Sequence, residues 1–259
     1  MLQSESVQAD LFIFDSNVCY GPRKVYAPGA DYDLANILML MKKRGVARAM
    51  VTSTLQSEYH PSYANVRLQA ELAGRESMLP VWVILPHHTG EFPHPMQLRR
   101  QLAENRVYAV KIFPAFQYHN FPIDDFCCGD LLDMLEEARI PLFIDLDQLN
   151  WSQLDGLCHA HPSLRLLLQN VSFSVDRALF PLLDKHENLF VESSSYRQFR
   201  GLEWFVRTFG SSRMIFGSGM PYSSLEAALS MINYADIDIQ DQERIAGFNL
   251  EKMLREVIW

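Results

Sequence analysis

Three ionisable side chains stand in or at the ends of apolar runs, where an isolated charge is costly. Asp15 closes LFIFD, Lys111 sits in VYAVKIF, and Asp145 follows the apolar part of PLFIDL. An ammonium among apolar neighbours must be paired or lose its proton, and Asp145 and Asp15 are its expected partners. As chemistry, this set offers a cation that holds a substrate carboxylate or polarises a carbonyl, with Asp145 or Asp15 as the base. As structure alone, it is an ion pair filling a polar hollow. Other polar residues follow apolar runs in the same way: Asn17 and Cys19, Thr52 and Ser53, His87 and His88, Asp147, Gln169 and Asn170, Glu192, Ser193 to Ser195, and Ser218. Asn17, Cys19, His87, His88, Asn170, Ser194 and Ser218 are the expected contacts for a small-molecule ligand. The three consecutive serines have no histidine clearly placed to activate them, so they read as a hydrogen-bonding wall.

The elements that must position these residues alternate regularly. Short apolar runs read as buried strands, beginning with LFIFD and continuing through ARAMVTST, LPVWVIL, VYAVKIF, PLFIDL, LRLLLQN, NLFVES and RMIFGS. Each is followed by a helical segment. The first, DYDLANILMLMKKRG, has Asp31 or Asp33 as its N-cap and Gly45 as its stop. Strict alternation implies a parallel sheet with helices outside. Eight such units in 259 residues predict a single (β/α)8 TIM barrel spanning 1–259 as one domain. The competing doubly wound sheet carries a Gly-rich phosphate turn after its first strand, and FDSNVCYGP is not one. In a barrel the chemistry sits at the carboxyl ends of the strands, where these polar residues fall.

Composition narrows the partners. Lys+Arg 23 against Asp+Glu 31 gives a net charge of −8, which disfavours nucleic acid. No apolar run is long enough to span a bilayer, and the opening MLQSESVQAD lacks the basic and apolar parts of a secretory signal. The four cysteines, Cys19, Cys127, Cys128 and Cys158, show no repeated CxxC spacing, so neither a zinc ribbon nor a disulfide framework is expected. The reading is cytoplasmic.

The order of the strand ends resembles the amidohydrolase superfamily, in particular the amidohydrolase-related branch that includes lactone hydrolases and decarboxylases of the aminocarboxymuconate-semialdehyde type. FDSNVCYG is similar to that branch's opening ID-x-H-x-H-x-G, YAVKIFPAFQ to its fourth-strand segment, and RIPLFIDL to its fifth. HPSLRLLLQNVS, ENLFVESSSY, FGSSRMIFGSGMP and ERIAGFNLEKML follow in register. The resemblance implies a divalent metal held by two first-strand histidines, a histidine after the fifth strand and an aspartate after the eighth, with a sixth-strand histidine lining the site. Here those positions are Asn17 and Cys19, Asp145, Gly219 and Asn170.

Asn is a poor zinc ligand and glycine offers no side chain, so neither metal nor cofactor is expected. Two other sets carry donors that could hold an ion: Asp15, Cys19, Asp145 and Asp147, and the loop histidines His87, His88 and His94. Their plainer readings are a packed thiol and surface histidines. The functional expectation is a metal-independent hydrolase or decarboxylase for a small carboxylated ester or lactone, with Asp15, Lys111 and Asp145 catalytic. The alternative is a catalytically inactive relative that binds a small molecule or a protein. The resemblance also implies a homodimer.

Overall fold

A computed structural model describes residues 11–22 and 33–259. Asp31, one of the two expected caps, and the residues read as lacking a secretory signal lie outside the described residues.

The strands are β1 (Ile13–Tyr20), β2 (Val46–Ser53), β3 (Met78–Pro80), β4 (Trp82–Val83), β5 (Val110–Lys111), β6 (Leu142–Asp145), β7 (Leu166–Gln169), β8 (Leu189–Glu192) and β9 (Met214–Ile215). All their pairings are parallel, in the orders β1-β2-β3 and β4-β5-β6-β7-β8-β9. The third barrel strand comprises β3 and β4, broken at Val81. The break is bridged by backbone: Val81 N–H donates to Val51 at 2.9 Å, and Ile84 N–H to Lys111 at 3.1 Å. Two buried amides serve its remaining polar groups. Gln56 Nε2 donates to the Val81 carbonyl, while Asn65 accepts from Val83 N–H and donates to its carbonyl. On the opposite side Ser16 and Cys19 donate to Phe216 and Met220, and Gly219 donates to Asn17. The ring is thereby closed as a (β/α)8 barrel.

The helices are α1 (Leu34–Lys43), α2 (Thr54–Glu58), α3 (Pro61–Leu72), α4 (Pro95–Glu104), α5 (Asp125–Glu137), α6 (Trp151–Ala160), α7 (Asp176–Lys185), α8 (Gly201–Phe209), α9 (Leu225–Asn233), α10 (Ile239–Glu243) and α11 (Asn249–Arg255). Their starts follow local chemistry. Asp33 accepts from Ala35 N–H at 2.7 Å to cap α1, and Asn150 with Gln153 forms a capping box on α6. The final helical segment is interrupted. A π-helical turn, Arg244–Phe248, separates α10 from α11, and within it Gly247 lies so close to the Phe12 carbonyl that a Cβ would collide.

The core has two shells. Ile84, Ile112, Ile144 and Leu168 pack outward from the strands against helical residues such as Leu68, Leu98, Leu135 and Leu157. Inside the barrel lie Phe14, Met50, Val81, Ala109, Phe143, Leu167 and Ile215, sealed at the amino-terminal end by Leu250, Met253 and Leu254 of α11. That plug leaves the carboxyl ends of the strands as the open face. No helix among the described residues is long and apolar enough to cross a membrane.

Candidate functional site

The carboxyl ends of the strands enclose a cavity of about 630 Å³. Its wall includes Asn17 and Cys19 from β1, Thr52 and Ser53 from β2, Lys111 from β5, Asp145 from β6, and Asn170 just beyond β7. Glu58 of α2 and, beyond the strands, Phe113, Tyr118, Asp147, Gly219 and Tyr222 also line it.

Lys111 is the centre of this arrangement and is only 5% exposed. Its ammonium donates to Asp145 Oδ1 and to Gln169 Oε1, both at 2.8 Å, and lies 5.0 Å from the Phe113 ring centroid. The parallel register sets Asp145 directly beside Gln169, so one strand-end pair supplies both acceptors. Asp15, the other expected partner of Lys111, makes neither contact. The Gln169 amide is itself held by donation to the Ser16 carbonyl at 2.9 Å.

The network continues around the mouth. Asn170 Nδ2 donates to Asp145 Oδ1 at 2.8 Å. Asn17 Nδ2 donates to Asn170 Oδ1 at 3.4 Å and to Glu192 Oε2 at 3.1 Å. Asn170 holds a left-handed backbone (φ 58°), a conformation that asparagine tolerates better than most residues. This turn aims its N–H at Glu192 Oε2, 3.2 Å away. Ser194 adds its hydroxyl to Oε2 at 2.9 Å and its N–H to Oε1. Glu192 is wholly buried, and desolvation raises its pKa against these donors.

Asp15 lies below the cavity, fully buried. Its Oδ1 accepts from Asn17 N–H at 3.0 Å and from Ser218 N–H at 2.9 Å, which fastens the first strand to the turn after the last. Burial pushes its pKa up to about 7, opposed by the bonds from Ser218 and Asn17. Asp15 therefore positions backbone; it does not reach the cavity as the expected catalytic group would. Ser194 and Ser218 are likewise buried beneath the surface, whereas Asn17, Cys19 and Asn170 do face the cavity.

His87 and His88 do not line the cavity. The loop after the third strand turns outward, and His87 packs its ring against His88 and His94 at centroid distances of 4.1 and 4.9 Å. Conversely, Glu58 at the end of α2, Phe113 just beyond β5 and Tyr118 line the cavity although none of them is a polar residue directly following an apolar run.

The family resemblance implies a divalent ion at the mouth, and the donors here do not fit one. Asn17 offers an amide already bonded to Glu192 and Asn170, and Asp145 Oδ1 is held by an ammonium. Gly219 has φ 68°, and a Cβ there would stand 3.3 Å from Ser194, so a ligand side chain would be strained. Among the described residues no three His, Cys, Asp or Glu side chains converge in this cavity to ligate a metal.

Comparison with known proteins agrees with this architecture. The amidohydrolase family model matches residues 22–255, and the chain belongs to that family. No curated protein sequence matches it. Among solved structures, an uncharacterised TIM-barrel protein of Bordetella bronchiseptica superposes with a TM-score of 0.76 at 16% identity, covering 95% of this chain and 99% of that one. The 5-carboxyvanillate decarboxylase of Sphingomonas paucimobilis gives 0.73 at 14%, with 95% and 99% covered. A 2,6-dihydroxybenzoate decarboxylase from Rhizobium gives 0.74 at 14%, again with 95% and 99% covered.

Proposed function

We propose that this chain is a hydrolase that opens a small, neutral ester or lactone without the family's divalent ion. The observation carrying the reading is the Lys111–Asp145 pair at the cavity wall, 2.8 Å apart through Oδ1. Asp145 Oδ2 takes no hydrogen bond from any described residue, so it is the acceptor that faces an incoming water. Lys111 has three donors, and two are used by Asp145 and Gln169. The third is available to the oxygen of a bound carbonyl.

The reaction follows from those two groups. Asp145 removes a proton as the water oxygen bonds to the acyl carbon, and the Lys111 ammonium stabilises charge growing on the carbonyl oxygen. The acyl C–O bond then breaks, and the departing alkoxide recovers the proton from Asp145. Magnitude limits the substrate. A general base supplies typically 10²–10⁴-fold, whereas a zinc-bound water ionises near pH 7 against 15.7 for bulk water. The pair suits an activated ester or lactone and falls short for an amide.

Charge revises the expectation of a carboxylated substrate. Among the described residues the cavity wall carries Lys111 against Glu58, Asp145 and Asp147, which favours a neutral acyl compound.

The second reading, ligand binding without catalysis, is supported by how fully Asn17, Asn170 and Gln169 are engaged with one another and with Lys111, Asp145, Glu192 and Ser16. A hydrolysis screen of small lactones and aryl esters in the presence of a chelator tests both. Turnover that survives chelation and is lost in Lys111→Met and Asp145→Asn supports the hydrolase. Turnover unchanged in both variants, or abolished by chelation, overturns it. Thermal stabilisation by a compound that is never turned over favours the binding reading.

A further inference from the structure

The loop after the third strand, the start of α4 and the second turn of α5 bring three ligating side chains together on the outside of the barrel. One ligand atom from each of His87, His94 and Asp130 lies within 4.8 Å of the other two. None of them lines the cavity, so this cluster is independent of the function proposed above. We propose that His87, His94 and Asp130 form a binding site for a borderline divalent transition-metal ion of the zinc type, which fastens the third-strand loop to α5.

The donor set fits that class of ion. Two imidazoles and one carboxylate are one of the sets of three protein ligands that hold zinc with water in the fourth position. Ligand bonds of about 2.1 Å place neighbouring donors roughly 3.4 Å apart in a tetrahedron. The present spacing, up to 4.8 Å, contracts by at most about 1.4 Å on binding. Magnesium and calcium prefer oxygen donors and are poorly matched.

The backbones beneath the donors are already fixed. His87 follows Pro86, and its carbonyl accepts from Gly90 N–H at 2.9 Å. His94 lies between Pro93 and Pro95, and as the residue preceding α4 it accepts from Gln97 and Leu98 N–H at 2.8 and 3.0 Å. Asp130 is within α5. Binding an ion thus orders three side chains and little main chain, which lowers the entropic cost.

Electrostatics point the same way. His87 and His94 pack at a ring-centroid distance of 4.9 Å, with His88 4.1 Å from His87 on another side. A divalent ion supplies positive charge beside the Asp130 carboxylate.

Calorimetric titration of the whole, tag-free chain with zinc chloride tests the proposal, after chelator treatment and its removal. The expected result is one zinc per chain with micromolar affinity, and a melting temperature that rises with zinc. His94→Ala and Asp130→Asn should each weaken binding at least tenfold while leaving the zinc-free melting temperature within a few degrees. His87→Ala should do the same, and Asp145→Asn in the cavity should leave zinc affinity unchanged. No binding below about 100 µM zinc, or binding unaffected by His94→Ala and Asp130→Asn, would overturn the assignment.

Discussion

Glu192 occupies the space that a side chain on residue 217 would take: a Cβ built on Gly217 collides with Oε1, Cδ and Cγ of Glu192. The carboxyl is wholly buried and receives bonds from Asn17, Asn170 and Ser194, so it has no alternative position of comparable quality. The glycine on the neighbouring strand end is therefore part of the mouth network although it contributes no atom to it.

Gly217→Ala should accordingly destabilise the protein by about 1–3 kcal/mol, the usual cost of overpacking. Thermal melting would register this as a fall of roughly 2–4 °C per kcal/mol. Glu192→Ala in the same background should cost less than the sum of the single changes, because the clash is then absent.

Lys111→Met should lower stability by about 3–5 kcal/mol, since it leaves the Asp145 and Gln169 acceptors facing an apolar side chain. The double variant Lys111→Met with Asp145→Asn should recover part of that loss. Urea unfolding midpoints of the four proteins measure the coupling directly, and strict additivity would show that the pair does not act as a unit.

For activity, the base role gives a separate expectation. Once a substrate is found, Asp145→Asn should reduce kcat by about 10²–10⁴-fold. Phe113→Leu, which alters the cavity wall without removing a charge, should act more through KM.

Stability should depend on pH through Asp15. Its folded-state pKa is raised from 3.8 to about 7, so between those values the folded chain binds the proton more tightly than the unfolded chain. The stabilisation is full below the unfolded pKa and is lost as pH rises through about 7. Glu192 shifts in the same direction. His119, lowered by burial, acts oppositely, costing stability as pH falls below its unfolded pKa. The clean measurement is the difference in slope between wild type and Asp15→Asn from pH 5 to 8. The variant should lose the downward component, and identical slopes would refute it.

Asn65→Ala should cost roughly 2–4 kcal/mol by stranding Val83 N–H and the Gln56 amide. Hydrogen exchange at Val83 should accelerate, reporting that the break in the third strand depends on this amide.

Much of this architecture is written in the chain locally. Strand runs such as LFIFD and PLFIDL and helix signals such as Asp33 before LANILMLMKK depend on neighbours a few residues away, so periodicity exposes them. The same locality placed Asn17, Cys19, Lys111, Asp145 and Asn170 at strand ends, and all five face one cavity. What periodicity does not contain is register around the ring and the direction of loops. Parallel pairing set Gln169 beside Asp145 and gave Lys111 that partner in place of Asp15. Closure between the first and last strands sank Asp15 beneath the turn at Ser218. The outward course of the third loop took His87 and His88 from the mouth and set His87 beside His94 and Asp130. Each of these depends on residues far apart in sequence meeting at fixed angles, which closure of the barrel imposes and no local pattern encodes.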